Sequence, residues 1–173
     1  HLAGWAFLAP ALIIAAKMAY HIRTAAIERY GYVIHEFDPW FNYRATEYLA
    51  EHGWNKFFHW YDYMSWYPLG RPVGTTIFPG MQITSVVLQQ ALAAASRALG
   101  RPELLHTLNE VCCLVPVWFG VCATIAAALL TRECSKSYLS AALTAFVMAI
   151  VPAHLSRSVG GGYDNESVAM TAM

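Results

Sequence analysis

Two short segments, far apart in the chain, carry the residue types most able to do chemistry. One reads His35-Glu36-Phe37-Asp38-Pro39-Trp40 and the other Arg157-Ser158-Val159-Gly160-Gly161-Gly162-Tyr163-Asp164-Asn165-Glu166. Asp164 and Glu166 flank a single residue, so in an extended or turn conformation both can face one cation, and hard carboxylate oxygens suit Mg2+ or Mn2+. Helix capping beside a glycine hinge accounts for the same residues. Asp38 also reads two ways. It is an N-cap with Pro39 at the first helical position, or a carboxylate fixed at a helix N-terminus to hold a metal or orient a polar substrate group. Arg157 is a partner for these acids, a phosphate contact, or an arginine snorkelling to an interface. His35 with Glu36, and His59 with Asp62, resemble metal-ligand fragments only loosely and read better as interfacial or packed residues. Asn165-Glu166-Ser167 spells a glycosylation acceptor but lies too close to an apolar run to count as one. The sequence has no P-loop, no G-x-G-x-x-G and no nucleophile elbow.

The elements that must position these residues are membrane elements. Of the 173 residues 57% are hydrophobic and only 13% charged, about half the charge of a soluble domain. Eleven basic against eleven acidic residues leave no net charge, hence no basic face for nucleic acid. Val111 to Leu130 is twenty residues without a charge, enough at about 1.5 Å per residue to cross a hydrocarbon layer of roughly 30 Å. Pro116 is placed to kink it. Tyr138 to Leu155 is a second run, rich in Ala, Ser and Thr as suits helix-on-helix packing. Leu2 to Tyr20 is interrupted only by Lys17; a cleaved signal peptide is the alternative, against which no small-residue cleavage site precedes the charged segment. Met81 to Leu99 carries Gln82, Ser85, Gln89 and Ser96 as one polar stripe, which favours a helix lying at the interface or packed in a bundle over a lipid-facing span. Cys112, Cys113, Cys122 and Cys134 have no zinc-ligand spacing and read as structural thiols.

These elements predict an all-α polytopic membrane protein with three to four transmembrane helices: a first span over 1–22, a long loop 23–108 containing amphipathic helix 81–99, a second span 109–131, a loop 132–137, a third span 138–155, a loop 156–166, and the start of a fourth span at 167–173. If 81–99 does not cross, Asp38 follows one crossing and Asp164 three, so both face one compartment. Arg132 and Lys136 against Glu133 place loop 132–137 in the cytoplasm by the positive-inside rule, with both acidic segments opposite. Fifteen of the 24 aromatic residues lie between Tyr30 and Tyr67, so the long loop is expected on the headgroup layer, with sugar stacking as the alternative. The chain starts at His1 and stops within an apolar run, as a piece of a longer protein would.

On this scaffold the motifs resemble the catalytic subunit of oligosaccharyltransferase in its eukaryotic form. Val33-Ile34-His35-Glu36-Phe37-Asp38-Pro39-Trp40-Phe41-Asn42-Tyr43-Arg44 is similar to the family's first acidic motif. Trp66-Tyr67-Pro68-Leu69-Gly70-Arg71 and the stretch from Ser156 to Glu166 resemble further family blocks, and Asp62-Tyr63 departs where a second acidic residue is expected. The resemblance implies a membrane domain of the GT-C glycosyltransferase type and transfer of a dolichyl pyrophosphate-linked oligosaccharide to the asparagine of N-x-S/T sequons, metal-dependent and inverting. It implies Mn2+ or Mg2+ as cofactor, with Asp38, Asp164 and Glu166 on the metal, Asp38 also accepting from the acceptor carboxamide, and Arg157 bracing the acids. Partners would be the lipid-linked donor, an acceptor polypeptide, membrane lipids and other subunits of the complex. The location would be the endoplasmic reticulum membrane with a lumenal site.

The family's third metal carboxylate and its sequon-reading block are absent from this sequence, so the chain alone is expected to be inactive. Two other readings stand beside this one. A metal-independent lipid-phosphate-sugar transferase of the same broad class needs no Asp164–Glu166 cluster. A cation-coupled transporter needs its carboxylates near mid-membrane, whereas here both segments flank spans.

Overall fold

A computed structural model describes residues 2–102 and 105–173; His1 of the expected span 1–22, and Glu103 and Leu104 of the expected loop 23–108, lie outside the described residues. The described residues are helical, in the order α1 (Leu2–Tyr30), α2 (Phe37–Phe58), α3 (Val73–Thr76), α4 (Gly80–Leu99), α5 (Leu108–Ser135), α6 (Tyr138–Ile150), α7 (Pro152–Ser156) and α8 (Asn165–Ala172). Local chemistry sets several of the ends. Thr107 caps α5 in a capping box with Glu110, and Lys136 closes it in the left-handed conformation. Ser137 caps α6 through the Ser140 amide. In α2 the helix is broken at Gly53 (φ 76°, ψ 176°), a conformation open to glycine, and resumes to Phe58.

The core of the bundle is α1, α5 and α6. Leu8 packs with Ala141 and Ala142, and Ala15 with Ala128 and Ala145; small side chains at these crossings let the helix backbones approach closely. Trp5 meets Tyr138 edge-on, while at the other end Asn109 donates to the Tyr32 carbonyl at 2.9 Å. So α1 and α6 run parallel and α5 antiparallel to both. Among the described residues, α1 and α5 are the two helices long and apolar enough to cross a membrane, and α6 is a shorter apolar helix. Ile13, Ile14, Leu139, Leu143 and Val147 are exposed on the outside of this bundle, as residues facing acyl chains would be.

Several expected boundaries move. The first helix runs eight residues beyond 22, to Tyr30, because Arg23, expected to open a loop, is wholly buried and held inside the bundle. Its Nε donates to Ser158 Oγ at 2.9 Å and its Nη1 to the Ala149 carbonyl at 3.0 Å. The expected span 138–155 is two pieces: α6 stops at Ile150 and α7 starts at Pro152. Proline has no amide to donate and holds the residue before it extended, as Val151 is at φ −60° and ψ 125°. The second expected loop, 156–166, takes in the end of α7 and the first turn of α8. The third element of the expected long loop, α4, packs on α2 and α5. Its polar stripe faces inward, with Gln82, Ser85 and Ser96 buried.

Candidate functional site

The two acidic segments meet at one end of the bundle. The backbone between α1 and α2 lies against the glycine-rich turn before α8: the His35 amide donates to the Gly161 carbonyl, and His35 Nε2 lies 3.2 Å from the Gly160 carbonyl. Gly161 in turn donates to the Cys113 carbonyl in α5 at 3.1 Å, and Gly160 to the Arg23 carbonyl at 2.8 Å. Gly161 has φ +88° and a Cβ added to it would run into the Val33 carbonyl oxygen, so a side chain has neither the conformation nor the room there. Three glycines in a row are thus the means of laying one loop flat on another.

Beneath this junction Tyr163 is fully buried, its hydroxyl 2.6 Å from Ser85 Oγ in α4 and 2.9 Å from Thr46 Oγ1 in α2. Asn42, one turn before Thr46 on the same face of α2, donates to the Tyr163 carbonyl at 3.2 Å and to Asp164 Oδ1 at 3.3 Å. Its own carbonyl oxygen takes the Gln82 amide at 3.2 Å. Asp164 caps α8, Oδ1 accepting from the Asn165 amide at 2.8 Å. The capping reading of this residue therefore holds, through Oδ1.

Glu166 sits in the first turn of α8 with its carboxylate beside that of Asp164. Burial, then the neighbouring Asp164, push its carboxyl above the ordinary glutamate range, with Arg157 opposing. Arg157 Nη1 lies 3.4 Å from Glu166 Oε1, while Glu166 Oε2 is buried with no hydrogen-bond partner. Two facing carboxylates with an orphaned buried oxygen call for a proton or a cation between them. The all-oxygen donor set fits a hard divalent ion. A cleft of about 20 Å³ adjoins Asp164, lined also by His35, Glu36, Pro39, Arg157 and Gly162 but not by Glu166, room for an ion or a water and not for a sugar ring. An open hollow of about 510 Å³ shares His35 with the cleft and is otherwise walled by Ala26, Tyr30, Gly31, Val33 and Gly160.

Asp38 lies at the start of α2. It is exposed in the first turn of α2, which begins at Phe37 with Glu36 as its cap residue. The expected cap at Asp38 and first helical position at Pro39 are therefore each displaced inward, and Glu36 caps without a side-chain bond at a strained φ of 74°. Among the described residues no three His, Cys, Asp or Glu side chains group as a metal site, so Asp38 does not join Asp164 and Glu166 in a three-carboxylate cluster. Asn42, Gln82 and Tyr163 received no role from the sequence. The polar stripe on 81–99 was the available signal for Gln82, and the i, i+4 spacing of Asn42 and Thr46 gained meaning only with Tyr163 in place.

Within the long loop a second polar centre fixes the chain after α2. Arg44 donates from Nε and Nη2 to the two oxygens of Asp62 at 2.7 and 3.0 Å, and Ser65 Oγ and the Met64 amide complete that carboxylate. These bonds, Arg44 first, lower the Asp62 carboxyl to about 2.

An all-helical chain with two long apolar helices and a third, shorter one defines a class: helical membrane proteins. Residues 7–173 match the family model described as oligosaccharyl transferase STT3, N-terminal, and the chain belongs to this family. It is 42% identical over 163 residues to the rice dolichyl-diphosphooligosaccharide–protein glycosyltransferase subunit STT3B. It is 40% identical over 163 residues to the stt-3 subunit of Caenorhabditis elegans and 40% over 162 residues to the stt3 subunit of Schizosaccharomyces pombe. Each match covers 94% of this chain but only 20–22% of the relative, so the chain spans about a fifth of their length.

Proposed function

We propose that the intact protein transfers an oligosaccharide from a dolichyl pyrophosphate carrier to the asparagine side chain of N-x-S/T sequons, with inversion, at the lumenal face of the endoplasmic reticulum membrane and within a multisubunit complex. The relatives bear the name of that glycosyltransferase. The observation that carries the metal-dependent form of the reading is the pair of neighbouring carboxylates, Asp164 and Glu166, with Glu166 Oε2 buried and without a hydrogen-bond partner. Asp164 and Glu166 would hold Mn2+ or Mg2+, which when bound neutralises charge on a leaving pyrophosphate.

The chain's own residues have physical reasons for their parts. An amide nitrogen is a poor nucleophile because its lone pair is delocalised; an exposed carboxylate at Asp38, at the mouth of α2, can accept from the acceptor carboxamide N–H groups and favour a twisted form. Arg157, exposed at its own end yet within 3.4 Å of Glu166, both braces the acids and presents N–H donors toward phosphate. The neighbouring hollow is walled mainly by apolar residues and suits a polyprenyl chain.

The test is transfer from a dolichyl pyrophosphate oligosaccharide to a sequon peptide by the intact protein in membranes. Asp38→Ala and Asp164→Ala are each expected to lower the rate at least about 100-fold, and EDTA to abolish it until Mn2+ is restored. Transfer that survives EDTA would move the assignment to a metal-independent lipid-phosphate-sugar transferase. The chain of residues 1–173 alone is expected to transfer nothing.

A further inference from the structure

Asp164 is held by a side chain 122 positions earlier in the sequence. Asn42 is 3% exposed and Gln82 fully buried, so neither bond competes with water. Both acceptors facing Asn42 Nδ2, the Tyr163 carbonyl and the Asp164 carboxylate, lack a proton to give, so the amide must present its NH2 there. Its oxygen is thereby turned to Gln82 Nε2. The relay has one orientation, running Gln82 to Asn42 to Asp164. The Asn165 amide and Asn42 both bond Oδ1, so neither bond uses Oδ2. A neutral amide does this without adding a charge to the site.

We propose that Asn42, oriented by Gln82, is a positioning residue that fixes Asp164 for metal binding. The proposal rests on the metal-dependent reading above. Outer hydrogen bonds of this kind fix the rotamer of a metal-ligating carboxylate, and their loss typically weakens metal binding 10- to 100-fold. Thr46 supplies the comparison. It anchors the same face of α2 to Tyr163 at 2.9 Å, yet makes no bond to Asp164.

The experiment is Mn2+ titration of the intact protein, purified in detergent, following the free-ion electron paramagnetic resonance signal, with thermal unfolding measured in parallel. Asn42→Leu keeps the branched heavy-atom shape and removes the donor; it is expected to weaken Mn2+ binding about tenfold, with transfer activity largely restored by excess Mn2+. Gln82→Leu is expected to weaken binding by a smaller factor in the same direction, and stands in if Asn42→Leu does not fold. Thr46→Val is expected to lower the unfolding temperature and leave Mn2+ affinity unchanged. Affinity within twofold of the unsubstituted protein in the leucine variants overturns the proposal and leaves the metal-dependent reading standing. So does an equal loss of affinity in Thr46→Val, which would make the effect one of packing. An unsubstituted protein that binds no Mn2+ overturns both.

Discussion

Asp62 shows what one side chain can settle. Four hydrogen bonds converge on a carboxylate that is 3% exposed, and its backbone pairs with Arg71 in an isolated bridge. Because its carboxyl is lowered to about 2 in the fold, the stabilisation is complete above the unfolded value near 3.8 and is lost as pH falls through about 2. Arg44 is half exposed, so solvent screening leaves about 1 kcal/mol for that titration. Asp62→Asn is expected to loosen residues 60–72 and leave the α1–α5–α6 core intact, seen as faster amide exchange confined to that loop at neutral pH. Arg44→Lys should do the same to a smaller degree, since an ammonium cannot match the two-pronged contact. The pairing was not legible in sequence: Asp62 stood out only as an oddity, and its partner is separated from it by a helix break at Gly53 and a change of chain direction.

Among the elements, the glycine-rich turn before α8 has the narrowest tolerance. Gly161→Ala meets both a left-handed backbone and the Val33 carbonyl, at a cost of about 1–3 kcal/mol, and the relief available is for residues 160–164 to lift away from His35. Expected results are a lower unfolding temperature and a loss of glycosyl transfer out of proportion to it. Ala at Gly53, where a Cβ finds open space, is expected to cost about 1 kcal/mol and to spare transfer. The helices themselves were largely readable, since charge-free runs and capping residues mark α5 and most of α1. The ends were less so. Pro152 is visible in the sequence, but a helix running up to a proline and one continuing past it with a kink share the same letters, and packing of α7 against the bundle decided between them. The inward stripe of α4 likewise could not be told from an interfacial face until α2 was seen to cover it.

At the scale of the whole molecule the helix directions divide the surface in two. Residues 30–37, 108–113 and 156–164 gather at one end, and the N-terminus of α1, the end of α5 and the start of α6 at the other. There Arg132 is paired with Glu133, lies over the Trp5 ring and bonds Tyr138 Oη. Cys134 is a free, exposed thiol on that side. In sealed microsomes a membrane-impermeant maleimide is expected to label Cys134 without detergent and an introduced Ser65→Cys only after permeabilisation. Equal labelling of both in sealed vesicles would show that the two ends do not face opposite compartments. Charge-free runs marked where α1, α5 and α6 lie, though α6 proved shorter than its run; they could not give Arg23, whose place inside the bundle depends on acceptors at the far end of the chain.

That arginine imposes an order on biosynthesis. Ala149 and Ser158, which receive N–H groups of Arg23, are made 126 and 135 residues later, so a newly inserted α1 has only its own Ala19 carbonyl for the guanidinium until α6 and the turn beyond it emerge. During that interval the helix can neither sink fully into lipid nor find its final neighbours. Its retention near the insertion machinery, or a shifted depth that keeps the guanidinium hydrated, is a requirement of the finished architecture.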